Sequence, residues 1–128
     1  MEPSGYVDRP DYRVDLLQRR NRFEARAGDV VLAASEQCIV VDEQDHGLVV
    51  YFPRADVDLA RFEPSDRTSR CPFKGTATYW RLPGRPDEVA WTYDDPYPEV
   101  ARLAGYIAFY QDRVAVTIGV ANPAVSGR

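Results

Sequence analysis

The sequence predicts a mainly β fold of antiparallel strands with one short helix near the C-terminal end, on three observations. Short apolar or aromatic segments recur along the chain, each bounded by Gly, Pro or Asp turn signals. Eight Tyr and ten Pro favour strands joined by shaped turns over a helical bundle. Only residues 98–104 combine helical spacing with a cap and a glycine stop.

Taken in order, Phe23 and Ala25 alternate toward Gly28-Asp29, and Val31 and Ala33 follow, which reads as a first hairpin. The unbroken apolar runs 38–41 and 48–52 flank a polar turn and form a second hairpin, buried on both faces. Pro53 stops that strand, and the polar stretch 54–70 reads as a long crossing loop. Residues 76–82 and 88–93 form a third hairpin; if Leu82 faces Val89, then Trp80 faces Trp91, and a slip of one residue sends the two rings to opposite faces. Asp94 and Asp95 then cap a helix with Pro98 in its first turn, Val100, Leu103 and Ala104 on one face, and Gly105 closing it. Two last strands cover 106–110 and 114–118. Residues 1–12 and 120–128 read as tails around a single domain, 13–119, large enough to bury one core.

Composition narrows the function classes. A net charge of −4 with scattered basic residues gives no general attraction to phosphate backbones, so nucleic acid is not an expected partner. No apolar run approaches the roughly 18 residues a spanning helix needs, and no secretory signal opens the chain, so membrane contact is not expected and the cytoplasm is. Cys38 and Cys71 are expected as free thiols. Two cysteines and one histidine fall short of the roughly four ligands of a structural zinc, so neither metal nor cofactor is expected.

The segment Cys71-Pro72-Phe73-Lys74-Gly75, ahead of Thr76-Ala77-Thr78-Tyr79-Trp80, is the most informative. Pro72 fixes its own φ and Gly75 tolerates angles that a Cβ resists, so a shaped loop delivers Lys74, the chain's single lysine, to a defined place. Beside aromatic rings its ammonium can hold an anionic or carbonyl group, or it can be a solvated turn lysine; in either case its removal is expected to cost little stability. Cys71 reads as a small residue shaping the loop or as a thiol lining a pocket. Trp80, Trp91, Tyr93 and Tyr97 supply pocket walls or core, and Arg54 either reaches an anion or pairs with Asp56 or Asp58. His46 reads as a solvated turn residue.

Four ordered blocks, Tyr51-Phe52-Pro53-Arg54-Ala55-Asp56-Val57, Cys71-Pro72-Phe73-Lys74-Gly75 with Tyr79-Trp80, Trp91 through Tyr97, and Gly105-Tyr106-Ile107-Ala108-Phe109-Tyr110, resemble the family called domain of unknown function 427, over residues 23–116. The resemblance implies a β-tent fold, in which two antiparallel sheets lean together at one edge. Some β-tent relatives carry structural zinc and some hold small ligands in an aromatic cage; the zinc does not transfer, because paired Cys-x-x-Cys ligands are absent here. The family also carries a nucleotidyltransferase label; Asp56-Val57-Asp58 has the acidic spacing of that class, but it follows a Pro-Arg turn and no Gly-Ser precedes it.

The leading expectation is therefore a small-molecule binding domain for a planar, anionic or carbonyl-bearing ligand, using Arg54, Cys71, Lys74, Trp80, Trp91, Tyr93 and Tyr97. The alternatives are an enzyme using Cys71 or Lys74, nucleotidyltransferase included, and a protein-interaction domain.

Overall fold

A computed structural model describes residues 2–119, and the predicted tail 120–128 lies outside the described residues. Ten strands run in the order β1 (Val14–Gln18), β2 (Phe23–Ala27), β3 (Val30–Ser35), β4 (Ile39–Glu43), β5 (Val49–Phe52), β6 (Glu63–Cys71), β7 (Gly75–Arg81), β8 (Glu88–Tyr93), β9 (Ile107–Phe109) and β10 (Ala115–Ile118). They make two antiparallel sheets, one of seven strands ordered β1-β4-β5-β9-β8-β7-β6 and one of three ordered β10-β2-β3. The mainly β reading holds. No helix among the described residues is long and apolar enough to cross a membrane.

The strand period of two sorts the apolar residues into two clusters, one on each face of the larger sheet. On one face Val40, Val50, Phe52, Ile107 and Phe109 pack against Phe23, Ala25, Leu32 and Ala33 of the smaller sheet. The other face carries Ile39, Val41, Tyr51, Ala77, Tyr79, Tyr93 and Ala108, joined at one end by Val100 and Leu103. Because no second sheet covers this face, it is where a concavity can form.

The short helix forms over Pro98–Leu103 but is of 3-10 type and is broken at Val100 (φ −126°, ψ 30°). No side chain caps it, so the predicted Asp94 and Asp95 caps are absent; Pro98 opens it and Gly105 follows at φ +75°.

Three expectations are corrected. Residues 54–70 are not one crossing loop: after 3-10 turns at Arg54–Asp56 and Leu59–Arg61, the chain forms β6 and pairs with β7. This strand escapes pattern reading because it is a sheet edge exposed on most positions, with Pro64 and charged side chains of the sort that edges carry. Trp80 and Trp91 do not share a face. The observed register sets Tyr79 opposite Trp91 and Trp80 opposite Ala90, with a shift before Arg81 opposite Glu88. Val89 is the extra residue of that irregularity, and one residue of slip reverses the faces. Lys74 is not a solvated turn lysine; it is buried.

Gly75 explains why the Lys74 loop closes where it does. It takes φ +128°, and a Cβ there would stand 3.3 Å from the Asp95 carbonyl oxygen and 3.4 Å from Pro96 Cα, which are backbone atoms that cannot swing aside. The close approach lets the Tyr97 N–H donate to the Lys74 carbonyl at 2.9 Å. The loop is thereby tied to the segment entering the 3-10 helix.

Candidate functional site

Cross-strand pairing lays an aromatic floor on the open face of the large sheet. Ala108 on β9 pairs with Tyr51 on one side and Trp91 on the other, and Trp91 pairs onward with Tyr79. The small Ala108 leaves room between two large rings, which stand perpendicular at 6.2 Å, and the Trp91 Nε1–H donates to the Tyr51 hydroxyl at 3.1 Å. Tyr110 leans on Trp91 with centroids 4.8 Å apart. The Tyr79 hydroxyl and Ser69 Oγ share a hydrogen bond of 2.5 Å. Above this floor lies a cleft of about 310 Å³, into which Tyr93, Cys71, Lys74, Glu43 and His46 also project.

Two turns deliver the polar end. Glu43 closes β4, and the following turn, with Asp45 at φ 64°, folds His46 back until its Nε2 lies 3.6 Å from Glu43 Oε2. The β6–β7 turn brings Lys74 in from the opposite side of the sheet, where its Nζ donates to Glu43 Oε1; the Tyr12 hydroxyl donates to Oε2. The Lys74 and Glu43 side chains are only 8% and 11% exposed, whereas His46 is 60% exposed. Burial pushes the Glu43 carboxyl upward, but hydrogen bonds from Lys74 and Tyr12 and the charges of Lys74 and His46 outweigh it, leaving the group below its ordinary value of 4.5. The charged pair therefore stabilises the fold above that value and loses its effect as the pH falls through the lowered one. The two charges cancel, so the polar end presents donors rather than net charge.

Tyr93 is buried, and burial pushes its hydroxyl well above the usual range, so it stays neutral. Among the described residues that hydroxyl has no hydrogen-bond partner, although it belongs to the cleft wall. The Cys71 thiol is half-buried in the same cleft, while Cys38 is fully buried elsewhere with its thiol pushed up to about 12 by burial.

Of the residues singled out from sequence, Cys71, Lys74, Trp91 and Tyr93 come together here, and three do not. Trp80 lies on the reverse face under the Arg54 guanidinium at 5.3 Å, and Arg54 bonds Asp94 at 2.8 Å, not Asp56 or Asp58. Tyr97 is buried beside the N-terminal segment, its hydroxyl accepting from Arg70 at 3.0 Å and donating to the Glu2 carbonyl at 2.9 Å. Tyr79 and Tyr110, part of the aromatic cluster in the last half of the chain, also line the cleft, as do Glu43 and Tyr51, which the sequence does not single out as wall residues. His46, read as a solvated turn residue, is 60% exposed and yet lines the cleft beside Glu43. Asp56 and Asp58 are engaged structurally, accepting from Ser35 Oγ at 2.5 Å and from Arg61 at 2.9 Å.

A family model named NTP_transf_9 and described as Domain of unknown function (DUF427) matches residues 5–119. No curated protein matches the chain.

Proposed function

The chain belongs to the DUF427 family, and we propose that it is a small-molecule binding domain whose ligand lies over Trp91, between Tyr93 and Lys74. One observation supports this reading above the others: Tyr93 is buried, lines the cleft and has no hydrogen-bond partner among the described residues. The oxygen opens on the cleft with no protein partner, so it is available to a ligand acceptor or donor. The ring faces favour a planar ligand, and the cleft volume falls at the small end of ligand pockets, near 300 Å³. Lys74 keeps two N–H donors beyond the one given to Glu43. Because Glu43 neutralises it, a neutral carbonyl-bearing ligand fits better than an anion.

Benzamide and benzoate are matched probes for this reading. Ligand-observed NMR with wild type is expected to show stronger saturation transfer to benzamide, reduced in Tyr93→Phe, which removes only the hydroxyl. Equal transfer to both probes in both proteins would discard the Tyr93 and Lys74 roles. Transfer to neither would favour the interaction-domain alternative.

A second reading, an enzyme using Cys71, has one observation behind it. The chain's single histidine lines the same cleft as the thiol and faces a carboxylate able to orient it as a base. On that reading His46→Ala slows alkylation of Cys71 by iodoacetamide near pH 7, with buried Cys38 silent; unchanged rates would remove it.

A further inference from the structure

We propose that residues 2–12 are a working part of this site and that Tyr12 is a positioning residue, holding Glu43, and through Glu43 the Lys74 ammonium, in the cleft. The segment has turns of its own: Val7 N–H donates to Ser4 O at 3.2 Å, Arg9 N–H to Gly5 O at 2.9 Å and Tyr12 N–H to Arg9 O at 3.1 Å. It docks on the loop that carries Lys74. Phe73 is gripped between Tyr12, stacked at 3.6 Å and 8°, and Tyr6, edge-on at 5.2 Å. Gly5 lies flat on the same ring, where a Cβ would stand 2.7 Å from Phe73 Cε1, and its N–H donates to the Pro72 carbonyl at 2.7 Å. At the outer end Arg70 bonds the Pro3 carbonyl at 2.6 Å and the Glu2 carboxylate at 2.9 Å.

These contacts bring the Tyr12 hydroxyl to the one Glu43 oxygen that Lys74 does not use. Without that donor, Oε2 is left with the exposed His46 ring as its nearest partner, and Glu43 is free to turn toward it and draw Lys74 away. Burial first and the bond to Glu43 second push the Tyr12 hydroxyl up to about 12, so it remains a donor throughout the neutral range. The consequence for ligand capture rests on the cleft being the ligand site; the positioning itself does not, and both readouts below are ligand-free.

The experiment uses the full chain carrying Tyr12→Phe, which keeps the stack on Phe73 and removes only the hydroxyl, beside Tyr12→Ala, which removes both. The Glu43 carboxyl is followed by carbon-13 NMR titration, and Lys74, the only lysine, by its rate of acylation with acetic anhydride. Tyr12→Phe is expected to lose a little stability, to raise the Glu43 midpoint toward the ordinary value and to speed Lys74 acylation about tenfold, the factor for one hydrogen bond to a charged group. Tyr12→Ala is expected to reproduce both changes and to lower the melting temperature further. A Tyr12→Phe protein with wild-type midpoint and wild-type acylation would overturn the proposal, as would a Tyr12→Ala protein that changes only in stability.

Discussion

Glu43→Ala is expected to destabilise the protein by about 3–5 kcal/mol, the range for breaking a buried ion pair by removing one partner. The variant strands the Lys74 ammonium on an 8% exposed side chain and leaves the Tyr12 hydroxyl without its acceptor. Lys74→Ala should cost a similar amount, because Glu43 then keeps its charge in a buried place with Tyr12 as its only close donor. This reverses the expectation of a cheap lysine formed from sequence. Since most of the penalty belongs to the stranded charge, the double variant Glu43→Met with Lys74→Met should be more stable than either methionine single variant, Glu43→Met or Lys74→Met. Urea denaturation of the four proteins measures this. Additive losses would mean that the two groups act independently.

Phe109→Ala should cost about 3–5 kcal/mol by the same measurement, for a different reason. Its ring is 1% exposed at the centre of the inter-sheet core, edge-on to Phe52 at 5.6 Å and tilted against Phe62 at 6.0 Å. Removing it leaves a cavity among the side chains packed between the two sheets. Phe109→Leu should recover much of the loss, since it keeps most of the buried volume. A loss below about 1 kcal/mol for the alanine variant would show that the two sheets do not close over this ring.

Strands with an apolar period and a Gly or Pro stop were legible in the sequence, because burial on one face and turn geometry write directly into residue type. The β4–β5 and β7–β8 hairpins are of that kind. β6 was not legible: as an exposed edge it has no buried face to impose a pattern. Which face Trp80 takes depends on a single irregular residue at Val89, and periodicity carries no information about that. The candidate site divides in the same way. Lys74 was found through Pro72 and Gly75, which constrain their own backbone. Glu43 is not singled out by the sequence because its importance comes from a pairing with Lys74 across 31 residues, which local pattern cannot report. Residues 2–12 carry no period and read as a tail, while what they touch, Arg70, Phe73 and Tyr97, lies more than 60 residues away.

The two tryptophans give the central claim its most direct measurement, because the sheet separates them: Trp91 faces the cleft and Trp80 the reverse side. In a nitrogen-15 spectrum each contributes one indole signal. Titration with benzamide is expected to move the Trp91 signal, whose Nε1–H is bonded to Tyr51, and to leave Trp80 in place as an internal control. Movement of the Trp80 signal alone, or of neither signal at saturating benzamide, would contradict the cleft as the ligand site.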